Sequence, residues 1–182
     1  MMEFLKYKWS IWFTILDVNQ DSFITHADVE QMIKNFPIVE GLSEKDAKLA
    51  CDNIEKWWTV YILKGREILT EEELIKDFEY EYTLNKKAFI DKIKSCQEEV
   101  LEILDTDKTN SISVDNYVKG FKALGHENEE LLRQSFKLYK PADHSIPIKE
   151  FINVWVFFLT NDDPTKPDAV MDIIEAGLME CM

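Results

Sequence analysis

The sequence predicts an all-α protein of four helix-loop-helix units in two packed pairs, with short β pairing between the loops. Three observations predict it. Apolar residues recur at three- and four-residue intervals on either side of polar, turn-forming stretches. An apolar residue leading into a helix start recurs at Ile24, Leu69, Ile112 and Ile146, with spacings of 45, 43 and 34 residues that each hold two helices and a loop. The 182 residues are 46% apolar and 12% aromatic, which supplies a sizeable core without disulfides.

The elements follow in order. Phe4, Leu5, Trp9, Trp12, Phe13 and Leu16 share one helical face, so a first helix ends near Leu16. Residues 17–23 form a loop, and a second helix runs over 28–36 through Val29, Met32 and Ile33, stopping before Pro37. Residues 37–50 read as an irregular insertion. The second unit closes at residues 68–74. The third has Val100, Leu101, Ile103 and Leu104 before a polar run at 105–111, then Tyr117, Val118, Phe121 and Leu124. The fourth is marked by Ile146, Ile148 and Phe151, and a loop from Asn161 leads to a short amphipathic segment at 170–178. The residues around each equivalent apolar position are expected to pair as short strands, because a lone loop leaves its backbone polar groups unsatisfied. Pairing implies two domains, 1–84 and 85–182.

Charge narrows the function classes. Asp and Glu number 35 against 21 Lys and Arg, a net −14. That argues against sequence-independent binding to nucleic acid or anionic membranes and favours cations as partners. Cys51, Cys96 and Cys181 are widely spaced with no CxxC pair, which suits a reducing compartment. The first nine residues mix charge into their apolar content and build no export signal. The longest apolar run, residues 154–159, is far short of the roughly 20 residues of a membrane span. A soluble, cytoplasmic protein with no membrane span is expected.

The first loop, residues 17–28, sets side-chain oxygen at places 1, 3, 5, 9 and 12 through Asp17, Asn19, Asp21, Thr25 and Asp28. The Phe23 carbonyl falls at place 7 and Ile24 is the apolar anchor at place 8. This is the spacing of an EF-hand, whose hard oxygens converge on a cation from alternate places of a tightly curved backbone. Two places differ from the rule. Ser22 replaces glycine at place 6, where a left-handed conformation costs about 1–2 kcal/mol, about tenfold in affinity. Asp28 replaces glutamate at place 12, one methylene shorter, so it reaches with one oxygen and leaves six ligands, a number that suits Mg2+.

The third-unit loop, residues 105–116, offers Asp105, Asp107, Thr109, the Ser111 carbonyl and Asn116 at places 1, 3, 5, 7 and 12, with Ser113 at place 9. Only two of these are carboxylates. Asn110 at place 6 tolerates a left-handed turn, but Asn116 puts one neutral oxygen where a bidentate anion belongs. The loop is left open between an ion site of lower affinity and a loop kept without an ion. In the second unit Ile62, Lys64 and Arg66 fall where acidic ligands belong, so two cations occupy the cavity. In the fourth, Tyr139 and Pro141 take the first ligand places. Neither is predicted to bind.

On these residues the chain resembles the sarcoplasmic calcium-binding protein family, four-EF-hand invertebrate proteins with calexcitin-like and luciferin-binding or photoprotein relatives. The resemblance is carried by Trp12-Phe13 in the entering helix, the first loop closed by Asp28, Asp105-Thr106-Asp107 with Asn110 and Ile112-Ser113, and the stretch Phe157-Phe158-Leu159-Thr160-Asn161-Asp162-Asp163-Pro164. It implies two EF-hand pairs packed together and buffering of Ca2+ and Mg2+ in the cytosol. An aspartate at place 12 of the first hand is familiar in that family. Asn116 and the lost ligands of the fourth loop differ from members with three working hands.

A buffer is favoured over a sensor. Met1, Met2, Met171, Met179 and Met182 lie near the ends and only Met32 lies in the hands, so no Met-rich groove is expected. The competing reading is a carrier or interaction module, with the ion mainly structural and a cavity or groove for a small apolar ligand or a protein partner. Its motive is the aromatic content, although helical spacing points those rings to the core. His26, His126 and His144 each fall in or near a loop, so no photoprotein chromophore site is expected. The resemblance also reaches an insect branch described as juvenile hormone diol kinases. Gly41, Gly65, Gly120, Gly125 and Gly177 form no phosphate-binding motif, so no enzyme is predicted.

Overall fold

The computed structural model describes residues 2–179; Met1, Cys181 and Met182 lie outside the described residues. The first unit is α1 (Met2–Leu16), β1 (Ile24–Thr25) and α2 (His26–Glu40). The second is α3 (Glu44–Trp57), a π-helical turn (Trp58–Leu63), β2 (Ile68–Leu69) and α4 (Glu71–Leu84). The third is α5 (Lys86–Leu104), β3 (Ser111–Ser113) and α6 (Val114–Ala123). The fourth is α7 (Glu129–Leu138), β4 (Ser145–Pro147) and α8 (Ile148–Thr160), followed by α9 (Ala169–Glu175). The strands pair antiparallel, β1 with β2 and β3 with β4. Their register sets Ile24 against Leu69 and Ile112 against Ile146, the four positions equated from sequence.

Helix starts have local causes. Thr25, Thr70 and Ser113 each accept from a backbone amide of the first helical turn. The side chains three residues on, Asp28, Glu73 and Asn116, reach back to the cap's own N–H, closing a capping box. The fourth hand has Pro147 at that position, with no cap hydroxyl, and the Ile148 amide donates instead to Asn110 O across the sheet at 3.0 Å.

Residues 37–50 are not an irregular insertion. Helix α2 continues past Pro37 to Glu40, ends at Gly41 in the left-handed conformation (φ 66°), and α3 starts three residues later behind the Ser43 cap. Pro37 cannot donate to Ile33 O, and that carbonyl is met by the Cys51 thiol of α3 at 3.7 Å, so the helix runs on without an orphan acceptor.

One core joins both halves. Trp9 Nε1 donates to Leu159 O (2.9 Å), fastening α1 to α8, and Trp57 Nε1 donates to Cys96 O (2.9 Å), fastening α3 to α5. Trp9 packs edge-on against Phe78 and Phe89, and Trp12 meets Trp155 at a tilt. Helix α2 lies along α6. Cys51 and Cys96 are free thiols, and burial pushes the Cys96 thiol up to about 12. The apolar face of α9 is buried through Val170, Met171, Ile173 and Ile174. Among the described residues no helix is long and apolar enough to cross a membrane.

Candidate metal centre

The first and third loops share one backbone path. Places 4 and 6 are left-handed in both: Gln20 and Ser22 at φ 58° and 72°, Lys108 and Asn110 at φ 54° and 56°. In both, the place-1 carboxylate spans the loop and accepts from the amides of places 5 and 6. Asp17 takes Asp21 N at 3.1 Å and Ser22 N at 2.8 Å; Asp105 takes Thr109 N at 3.0 Å and Asn110 N at 3.1 Å. Ser22 therefore adopts the turn expected of glycine, held there by the Asp17 clasp. The second and fourth loops lack this pair: the second has positive φ at places 3 and 4 (Lys64, Gly65) and the fourth at places 2, 5 and 6 (Lys140, Asp143, His144).

In the first loop Asp21 Oδ1 accepts from Phe23 N (2.9 Å) and Asp21 Oδ2 from Asn19 Nδ2 (3.1 Å). Asp28 is fully buried, its Oδ1 accepting from Asn19 N (3.2 Å) and its Oδ2 from Thr25 N (2.7 Å). Burial holds the Asp28 carboxyl above the usual range, and the amides of Thr25 and Asn19 offset part of that rise. Thr25 spends its hydroxyl on the Ala27 amide as helix cap. Among the described residues no three His, Cys, Asp or Glu side chains converge on one point. Each of the three carboxylates of the first loop is engaged by backbone amides of the loop itself.

The third loop is more tightly gathered. Thr109 Oγ1 lies 3.4 Å from Asp105 Oδ1, 3.0 Å from Asp107 Oδ1 and 3.1 Å from the Ser111 carbonyl. The place-5 oxygen thus lies within hydrogen-bond reach of the oxygens at places 1, 3 and 7. Desolvation raises the Asp107 carboxyl, but hydrogen bonds led by Thr109 outweigh it and hold it below the ordinary range. Asn116 Oδ1 accepts from Ser113 N (3.2 Å) and Ser113 Oγ (2.7 Å), which closes the helix cap.

The second loop corrects one expectation. Lys64 and Arg66 do not occupy a cavity: the loop turns them onto α4, where Lys64 pairs with Glu81 (3.0 Å) and Arg66 with Asp77 (2.6 Å). His126 follows α6 in a loop, as expected, yet it is buried against Phe121 with ring centroids 5.5 Å apart.

Two buried ionic groups carry no clear mark of their burial in the sequence. Lys8 of α1 is fully buried and its Nζ lies 3.1 Å from Asp168, the cap of α9. Glu40 ends α2 with its side chain 2% exposed and touches Thr106 and Lys119 of the third unit. The cap residue before an apolar 169–171 marks Asp168 in sequence; nothing there separates Glu40 from the other acidic residues.

The chain is 32% identical over 178 residues to a sarcoplasmic calcium-binding protein of Mizuhopecten yessoensis, covering 96% of this chain and 99% of that protein. No family model matches. Among solved structures the fold is similar to coelenterazine-binding protein from Renilla muelleri in its calcium-loaded apo form, at 17% identity and TM-score 0.77 over 94% of each chain. It is also similar to a sarcoplasmic calcium-binding protein from amphioxus, at 17% identity and TM-score 0.63 over 94% of this chain and 96% of that one. The structural likenesses establish an EF-hand fold, and the shared residues along almost the whole length of the Mizuhopecten protein go further: the chain belongs to the sarcoplasmic calcium-binding protein family.

Proposed function

We propose that the protein is a cytosolic calcium and magnesium buffer. Its principal ion site is the first loop, formed by Asp17, Asn19, Asp21, the Phe23 carbonyl, Thr25 and Asp28. The third loop is a weaker site formed by Asp105, Asp107, Thr109, the Ser111 carbonyl and Asn116. The observation that carries this reading is the backbone path common to these two loops: the same two left-handed places and the same place-1 clasp. The donor set is all oxygen, which suits a hard divalent cation. Three carboxylates against two give the first loop the higher affinity, and the short Asp28 side chain favours the smaller ion as a competitor. The protein divides at Asn85 into the pairs 1–84 and 85–182, each with one ion-binding hand and one supporting hand.

A buffer fits better than a sensor because Met32, the methionine of the hands, is 1% exposed and receives a hydrogen bond from Trp58 Nε1 at 3.2 Å. Met32 is thereby committed to the core. Calorimetric titration with Ca2+ and separately with Mg2+ tests the reading. The wild type takes up two ions, Asp17→Ala loses the tighter and Asp105→Ala the weaker. Absence of uptake by the wild type contradicts the buffer.

A second reading, a carrier or interaction module, is favoured by one feature. A half-open groove of about 710 Å³ lies between the α2–α3 corner and the end of α5, lined by Phe36, Leu42, Leu49 and Ile103 alongside charged side chains that include Lys56 and Glu99. The interior cavities beside Gln97 and Leu74 measure only about 10 Å³ each, so a small apolar ligand belongs in this groove and not in the core. Titration with coelenterazine, followed by tryptophan quenching, shows saturable binding on this reading and its loss in Leu49→Asp; absence of saturation removes it.

A further inference from the structure

In an EF-hand protein the strand pairing joins the first loop to the second and the third to the fourth, but here the second and fourth loops lack ligands. The first and third loops meet by another route. At place 2 of the third loop, Thr106 Oγ1 donates to Glu40 Oε2 at 3.1 Å, and Glu40 is the last residue of α2, the helix that leaves the first loop. Lys119 of α6 reaches the same oxygen at 3.3 Å. At place 2 of the first loop, the Val18 carbonyl lies so near Gly125, just beyond the end of α6, that a Cβ there would stand 2.8 Å from it. Each loop therefore rests its second residue on the far end of the other loop's exiting helix. Between these two contacts α2 and α6 lie face to face, with Asn35 Nδ2 donating to Ala123 O at 3.4 Å.

Glu40 holds its place against three local preferences. An anion in the last turn opposes the helix dipole. Its side chain is 2% exposed, while its partner Lys119 is 38% exposed. Its Oε1 is buried without a hydrogen-bond partner among the described residues, which carries a desolvation cost. A stability role alone would be met better by an apolar or amide side chain. What the carboxylate provides is a grip on the third loop from a helix whose third residue is Asp28, about 18 Å away along a continuous rod.

We infer that Glu40 is a positioning residue that links ion binding in the first loop to the geometry of the third, so that the two sites are coupled across the halves of the molecule through α2 and α6. The inference rests on the proposed ion site at 17–28. An ion held at 17–28 would engage Asp28 in the first turn of α2, and a shift of that helix would reach Thr106 and Lys119 through Glu40. By linkage the coupling is reciprocal: an ion at 105–116 raises the affinity of the first loop by the same factor.

The test follows backbone amide NMR signals of the full chain carrying Asp107→Ala, which disables the third loop's ion site while leaving the Asp105 clasp in place. On titration with Ca2+ the Ser22 signal reports the first loop, and the Thr106 and Lys119 signals report transmission. All three are expected to move with one midpoint. Adding Glu40→Ala, or Glu40→Leu should Glu40→Ala disturb folding, removes the acceptor shared by Thr106 and Lys119 and is expected to leave the Ser22 response intact and abolish the response across the interface. With Asp107 restored, Glu40→Ala weakens Ca2+ binding by the third loop about fivefold, the lower end of measured couplings. The inference is overturned if Thr106 and Lys119 stay still while Ser22 moves, or if they move equally in the Glu40 variants. If Ser22 itself does not respond, the ion reading of the first loop fails and the coupling falls with it.

Discussion

Asp28 serves the chain twice. It closes the capping box of α2 through the Thr25 amide, and it stands at the place where an EF-hand loop presents its last ligand. The two roles separate by substitution. Asp28→Asn keeps an acceptor for the cap and is expected to leave the ion-free stability within about 0.5 kcal/mol, while Asp28→Ala loses about 1 kcal/mol as a lost cap does. Both weaken Ca2+ binding at least tenfold, so urea unfolding without ion and titration with ion give different orders for the two variants. The Lys8–Asp168 pair behaves differently, because both side chains are buried and no water replaces a lost partner. Asp168 keeps the amides of Val170 and Met171 when Lys8 is removed, whereas Lys8 without Asp168 keeps the ring faces of Phe4 and Phe158 and the charge of Asp162, with no carboxylate at hydrogen-bond distance among the described residues. Asp168→Ala is therefore expected to cost about 3–5 kcal/mol in urea unfolding, and Lys8→Met less. This contrast also marks what could be read from sequence. Asp17 and its fellow donors fall within twelve consecutive residues and are legible from spacing, but Lys8 and Asp168 lie 160 residues apart and are joined only by the fold.

At the scale of elements, the order of hands was legible because each helix start carries its own local signal, and the four equated apolar positions pair as expected. Two elements were not. Helix α2 passes through Pro37, normally a stop, because a thiol from α3 satisfies the carbonyl the proline abandons, a contact no local pattern reveals. The charges of the second loop were assigned to a cavity, whereas Glu81 and Asp77 on the following helix draw them outward. The turn between α6 and α7 is the element most exposed to a small change. Gly125 has φ 88° and no room for a side-chain carbon beside Val18 O. Gly125→Ala is expected to destabilise the fold by about 1–3 kcal/mol in urea unfolding and to weaken the first loop's ion binding, since the carbonyl it strikes belongs to that loop. Gly41, with open space around its Cβ position, bears only the conformational part of that penalty.

At the scale of the whole molecule, the charge of −14 divides into a small functional part and a large surface part. Five carboxylates belong to the two ligand loops: Asp17, Asp21, Asp28, Asp105 and Asp107. Much of the remaining acidity lies on helix surfaces in pairs such as Lys76–Glu72 and Lys87–Asp91, which contribute little to stability and keep the protein dispersed. The aromatic content that suggested a ligand cavity instead fills one core spanning both halves, which leaves the groove beside α3 as the place for any apolar guest. Anomalous scattering from a crystal grown in Ca2+ tests most directly whether the first loop is the principal ion site. A peak enclosed by Asp17, Asn19, Asp21, the Phe23 carbonyl and Asp28 is expected, stronger than any peak at Asp105 and Asp107. A crystal with no peak in the first loop, or with its only peak elsewhere, contradicts that assignment.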